Sequence, residues 1–461
     1  MVGRQNRAAD GMGGNVFART WSERRAVLVG AQAPEQRTIW SLADSLKELG
    51  FLAVTAGIVP VGTVTQNLKQ VNAAHYLGKG KVEELAALRP ELGYDLVVVD
   101  DELNPSQLRN LERELGVPII DRTALILLIF ANRAHTREGQ LQVELAQYEY
   151  LYPRLAGQWT HLERQTGGLA TRGGPGETQL ETDRRIVRER IGDLKRRLES
   201  VRQHRAQYRK RRERAGLPVV ALVGYTNAGK STLFNALTSA GVLAENKLFA
   251  TLDPTTRRLR LAGGQEVLLS DTVGFIQKLP TSVVAAFRAT LEELKEADVL
   301  LHVLDITHPQ AYEQSRAVAS VLEELDLHDK PVVTALNKVD QAVSRDPGDG
   351  GVPAEGEGDL QQTLRDLGRV YPHAVTVSAR RGWGLDRLLA ELAAVLEDKR
   401  VDISVDIPYG RDELVALFHE RGTVEEEDFG SSGTHIRGRL PARLAERYRP
   451  FAEAGSAGMR R

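Results

Sequence analysis

The chain has 461 residues, with 61 Lys/Arg against 62 Asp/Glu and a net charge of −1. That length predicts roughly two to four domains, and the neutral total excludes a global pull toward nucleic acid. There is no cysteine, which excludes disulfides and thiolate metal sites and suits a reducing cytosol.

Residues 1–22 combine glycines, polar residues and arginines without an apolar signal core, and read as a disordered start. Ala26-Val27-Leu28-Val29 is strand-like and precedes a helical run from Ile39 to Leu49. Leu96-Val97-Val98-Val99 precedes a second helical pattern, Pro105 to Leu115, and Pro118-Ile119-Ile120 a third, near Ala124 to Asn132. This alternation predicts a small parallel α/β domain over 23–135. Gly78-Lys79-Gly80-Lys81 lacks the spacing of a phosphate loop and reads as a basic surface loop. The longest apolar stretch, Thr123 to Ala131, is about nine residues and too short to span a bilayer. A soluble, cytoplasmic monomer is expected.

Residues 136–215 carry a different pattern. From Arg184 to Arg214 there are 14 Lys/Arg and four Asp/Glu, a local charge of +10. Val187, Ile191, Leu194, Leu198, Val201 and Tyr208 recur at alternating steps of four and three, one seam of a long helix. A helix from about Thr178 to Arg214 is roughly 55 Å long at ~1.5 Å per residue. Leu141, Leu145, Tyr148, Tyr152 and Leu155 repeat the spacing upstream, so an antiparallel hairpin kinked at Pro153 is expected. The two helices are joined by Gly167-Gly168-Leu169-Ala170-Thr171-Arg172-Gly173-Gly174-Pro175-Gly176-Glu177, which cannot build a core. It suits close backbone approach to a phosphate-rich surface such as folded RNA.

Residues 216–399 hold the chemistry. Gly224-Tyr225-Thr226-Asn227-Ala228-Gly229-Lys230-Ser231 follows the apolar run Leu217 to Val223 and precedes the helix-like Thr232 to Ala240. This is a phosphate-binding loop in its strand–loop–helix setting: loop N–H groups and the helix N-terminus face the phosphates. Lys230 adds a charge at the β/γ oxygens and Ser231 completes a Mg²⁺ shell. Asp271-Thr272-Val273-Gly274 follows Val267-Leu268-Leu269, so Asp271 stands at a strand end, placed to hold Mg²⁺ through water. Gly274 can approach a γ-phosphate because it has no Cβ. Thr251, in Phe249-Ala250-Thr251-Leu252, is the candidate switch threonine, whose hydroxyl reaches the Mg²⁺. Asn337-Lys338-Val339-Asp340 follows the strand-like Pro331 to Leu336, and its Asp340 carboxylate can pair with guanine N1–H and the exocyclic amine. Adenine would leave that carboxylate unpaired, a discrimination of roughly 10⁴–10⁵. Ser378-Ala379 fits the loop on the other side of the base. GTP and GDP are therefore the expected ligands. Phe275 stands where small signalling GTPases keep a glutamine that orients water, so intrinsic hydrolysis should be slow. The whole set, in this order and spacing, resembles the translation-factor-related class of GTPases, and Asn227 either coordinates K⁺, as in K⁺-dependent relatives of that class, or simply braces the loop.

Gln341 to Gly358, rich in Gly, Pro and acidic residues, reads as a flexible insertion. In 400–461, Val401 to Ile407 and His435 to Leu440 look like strands and Arg411 to Arg421 like a helix, a small α+β domain.

Pro175 to Arg185 (Pro-Gly-Glu-Thr-Gln-Leu-Glu-Thr-Asp-Arg-Arg) after a Gly-rich loop, Tyr76 to Glu84, and Asp271 to Ile276 together resemble the HflX family over most of the chain. Ala170 and one extra glycine near Gly173 depart from the family's usual loop. The resemblance implies a GTPase that binds the large ribosomal subunit and its ribosomal RNA and splits stalled or idle ribosomes. A role in large-subunit assembly, or nucleotide-gated RNA binding without turnover, are the alternatives.

Overall fold

The computed structural model describes residues 21–33, 40–155, 179–214, 217–238, 248–249, 251–252, 255–278, 294–342, 366–397 and 400–452. The Gly-rich loop Gly167 to Glu177, Ala250, and nearly all of the N-terminal segment and of the 341–358 insertion lie outside these residues. Contacts divide the chain into two units. The first holds residues 1–201, 245–253 and 277–289; the second holds the remainder.

In the first unit, β1 (Arg25–Gln32), β2 (Val59–Asn67), β3 (Leu96–Val99) and β4 (Ile119–Asp121) form a parallel sheet of order β2-β1-β3-β4. Parallel sheets are covered on both faces, and accordingly all four residues of β3 are buried. α1 (Leu42–Thr55) packs against α4 (Arg122–Arg133), and α2 (Lys79–Ala87) against α3 (Pro105–Leu115). α3 begins with a capping box between Asn104 and Gln107 and ends at left-handed Gly116. Residues 79–81, expected to be a surface loop, instead form the first turn of α2. Val82 and Leu85 bury that helix on the sheet, which outweighs the two local glycines.

Polar side chains gather at the carboxyl ends of these strands. The buried Arg122 guanidinium bonds Asp100 at 2.7 Å and also meets Glu48, while Ser45 Oγ donates to Asp100. Tyr76 Oη donates to Asp101 and accepts from the Ala31 N–H. Burial and then the Asp101 charge hold that phenol far above its ordinary pKa. The same unit includes Lys278, whose Nζ lies 2.6 and 2.7 Å from Asp100 and Asp101, and Phe249, edge-on to Phe130.

α5 (Arg137–Leu151) and α6 (Gln179–Arg214) pack against each other. Leu141 and Leu145 meet Leu194 and Leu198, flanked by Tyr148, Ile191 and Val201. Arg190–Glu144 and Lys195–Glu149 ion pairs border the seam. Pro153 does not kink a continuing helix. It sits in the 3₁₀ turn Tyr152–Arg154 that follows the end of α5, because proline cannot donate the next helical bond.

The second unit has a six-stranded sheet of order β10-β9-β8-β5-β7-β6. Its strands are β5 (Val219–Val223), β6 (Thr255–Arg260), β7 (Glu266–Asp271), β8 (Val299–Asp305), β9 (Val332–Asn337) and β10 (Ala374–Thr376). All neighbours are parallel except β6, which pairs antiparallel with β7, an edge strand the sequence pattern did not reveal. α7 (Lys230–Thr238) and α9 (Leu385–Glu397) share one apolar face, with Phe234, Leu388 and Leu392 fully buried. α8 (Ala311–Glu324) packs on β8.

The C-terminal part of this unit is a three-stranded antiparallel sheet of β11 (Arg400–Pro408), β12 (Thr423–Phe429) and β13 (Gly433–Pro441), in the order β11-β13-β12, with α10 (Asp412–Arg421) upon it. β12, also unforeseen, is an edge strand carrying Glu425, Glu426, Glu427 and Asp428. On the opposite border Val405 bridges to Ala452.

Leu194→Ala removes a fully buried side chain from the hairpin seam. A loss of about 2–5 kcal/mol is expected in denaturant unfolding, against less than about 0.5 kcal/mol for the exposed control Arg196→Ala.

Candidate nucleotide site

The site grows from the ends of β5, β7, β8 and β9. β5 runs into Gly224, whose φ of 151° and 2.4 Å clearance between a would-be Cβ and Val303 O admit only glycine. Gly229, at φ 99°, would likewise drive a Cβ to 2.3 Å from Asn337 Nδ2. Between them Asn227 takes φ 62°, a left-handed conformation that asparagine tolerates well. Tyr225, Thr226 and Ala228 are all buried.

Lys230 opens α7, and its Nζ donates to Gly224 O at 3.1 Å and Tyr225 O at 2.8 Å. Burial pushes its pKa down to about 8, a shift that the nearby Asp271 carboxylate opposes. Ser231 Oγ donates to Asp271 Oδ2 at 2.9 Å, and Thr272 Oγ1 donates to Leu222 O. A hydroxyl beside a strand-end carboxylate suits Mg²⁺, a hard cation that keeps several waters and takes few protein oxygens. Thr232 is half-buried on the same helix and Val273 is buried. Gly274 lies against the loop so closely that a Cβ would fall 2.8 Å from both Lys230 Nζ and Thr226 Cα. Phe275 is buried, and its backbone bridges to the loop: its N–H donates to Gly224 O and its carbonyl accepts from Thr226 N–H.

The Asn337-Lys338-Val339-Asp340 segment is tied to the Gly224 to Ser231 loop through Asn337. Its Nδ2 donates to Ala228 O at 2.9 Å and its Oδ1 accepts from Ala379 N–H at 3.0 Å. Ser378 Oγ donates to Asp340 Oδ1 at 2.6 Å and accepts from Arg381 N–H. The two short motifs around Asn337 and Ser378 thus meet, although some forty residues separate them.

Phe249 and Thr251 belong to the first unit, and Ala250 is outside the described residues. Sequence reading missed Asp305 and Thr307. Asp305 ends β8 and pairs with Lys338 at 2.7 Å, while Thr307 donates its N–H and hydroxyl to Asp305. An aspartate ending an apolar strand was the available signal. His302 on β8 is buried and held neutral, its pKa pushed to about 4 by burial and then by the Lys230 charge. Among the described residues there is no cluster of three metal-ligating side chains, and no helix is long and apolar enough to cross a membrane.

Three family models match in succession. "GTP-binding GTPase N-terminal" covers residues 43–131, "GTP-binding GTPase Middle Region" 133–212 and "50S ribosome-binding GTPase" 219–338. A GTPase HflX from Caldanaerobacter subterraneus is 46% identical over 93% of this chain and 94% of its own. The GTPase HflX of Escherichia coli is 41% identical over 92% and 96% respectively. A solved GTP-binding protein from Sulfolobus solfataricus, in complex with GDP, aligns over 81% of this chain and 98% of its own at 24% identity and a TM-score of 0.41. With close to half of its residues shared along nearly the whole length of such relatives, the chain belongs to the GTPase HflX family and is a GTP-hydrolysing enzyme.

Proposed function

We propose that this GTPase binds the large ribosomal subunit and splits stalled or idle ribosomes into subunits, acting as a cytoplasmic monomer. The observation that carries the reading is one chain joining two parts. One is a loop that buries Lys230 beside Ser231 and Asp271; the other is a 36-residue helix with 14 Lys/Arg between Arg184 and Arg214. The name of the family model over 219–338 points to the same partner.

In this reading Lys230 meets the β- and γ-phosphate oxygens, and Asp340 accepts from guanine N1–H and the 2-amine. Ser231 and Asp271 hold Mg²⁺, which when bound neutralises charge on the phosphates. Gly274 and Thr251 approach the γ-phosphate and become ordered by it. A water attacks the γ-phosphorus, the bond to the β–γ bridging oxygen breaks, and GDP and phosphate leave. The buried phenyl of Phe275 has no group to orient that water, so the ribosome supplies the missing help. The GTP form holds the basic hairpin on ribosomal RNA, and hydrolysis releases it.

Shortening Gly167 to Gly176 should spare GTP binding yet stop subunit separation on sucrose gradients; a shortened protein that still splits ribosomes removes the loop from the mechanism. Asp340→Asn should reverse preference from guanine to xanthine nucleotide by at least ~100-fold in a competition assay. Phosphates seated beside Lys230 raise its pKa again. Affinity should therefore be level below pH 8 and fall as pH rises through about 8, by up to about tenfold per unit. Titration of a fluorescent guanine nucleotide from pH 7 to 9.5 checks this, and a flat profile contradicts the Lys230 contact.

A further inference from the structure

We infer that Asp305, buttressed by Thr307, is a positioning residue for guanine selectivity, acting through the backbone of Lys338. The inference rests on the reading of Asn337 to Asp340 as the base site, and deepens it.

Lys338 lies between two residues of that site and takes φ 67° and ψ 24°. A side chain with a Cβ enters this left-handed region only when its surroundings hold it there. The holder is on the neighbouring strand. β8 and β9 run parallel with Asp305 opposite Asn337, so the last residue of β8 lies beside the turn that leaves β9. Asp305 Oδ2 takes Lys338 Nζ at 2.7 Å, with the lysine side chain 20% and the carboxylate 11% exposed. The carboxylate is itself fixed, because its Oδ1 accepts from Thr307 N–H at 3.0 Å and Thr307 Oγ1 at 2.7 Å. The Ile306 N–H also donates to Asn337 O, locking the two strand ends together.

The bend at Lys338 has one geometric result. It starts the 3₁₀ turn Val339–Gln341, and that turn carries Asp340 back to the Ser378 hydroxyl. Without the ion pair, the strained conformation of Lys338 loses its side-chain hold and keeps the backbone bond from the Gln341 N–H to Lys338 O. The Asp340 carboxylate then loses its fixed aim, while Asn337 keeps its own bonds to Ala228 and Ala379. The expected defect is therefore in reading the base edge, more than in holding phosphates. Asp305 touches no nucleotide in this scheme.

Inosine nucleotides lack the exocyclic 2-amine that Asp340 would accept from, so the ratio of inosine to guanine dissociation constants reports the aim of that carboxylate. Asp305→Asn should weaken GDP binding about tenfold and shrink this ratio about fivefold, with kcat at saturating GTP unchanged. A merely misfolded fraction would lower the number of binding sites and leave the ratio intact. Lys338→Gly supplies a residue free to adopt φ near 67°, so adding Asp305→Asn to that variant should change the ratio by less than twofold. The inference is overturned if Asp305→Asn alone leaves the ratio unchanged, or if it has the same effect with glycine at 338. A wild-type protein that does not distinguish inosine from guanine would instead refute the base-site reading beneath it.

Discussion

A single buried ammonium group sets the terms for the nucleotide site. Moving the Lys230 pKa from 10.5 to about 8 corresponds to roughly 3 kcal/mol against its charged form. That destabilisation of the fold is fully present below pH 8 and is relieved as pH rises from 8 toward 10.5. That cost is what remains after the nearby Asp271 charge has already opposed it. A polyphosphate ligand answers the same deficit, so the cost of burying that charge becomes affinity for an anion. Glycine is required at 224 and 229 because a Cβ there would run into Val303 O and the Asn337 amide respectively.

From that constraint the remaining geometry follows through the parallel sheet. Strands that point the same way bring their carboxyl ends to one edge, where open α/β sheets bind ligands. Ser231 meets Asp271 from the end of β7, and Asn337 from the end of β9 reaches both Ala228 and Ala379. Asn337 is the hinge pin of this arrangement, and Gly229 lacks a side chain because the amide of Asn337 fills that space.

Much of this was legible in the sequence, for a physical reason. The phosphate loop, the aspartate closing β7 and the Asn337 to Asp340 motif each depend on contiguous residues whose backbone does the work, so spacing alone betrays them. The fold's alternation was readable where strands are buried on both faces, as in Leu96–Val99. It failed at borders. β2 contains Pro60 and Gly62, which edge strands tolerate, and β12 is a run of carboxylates that only its pairing with β13 makes a strand. α2 was hidden because Gly78 and Gly80 look like loop, while the apolar pair that buries it is short. Asp305 was passed over because its importance lies in a partner across the sheet, and no spacing along the chain encodes that.

The acidic border of the C-terminal sheet has a further outcome. An exposed strand edge is a template for another strand, and a second copy arriving at β12 would set its own row of carboxylates against Glu425 to Asp428. The opposite margin is partly occupied by the chain itself, through the bridge from Ala452 to Val405. One border repels a like strand and the other is partly occupied, and both work against strand addition to this sheet.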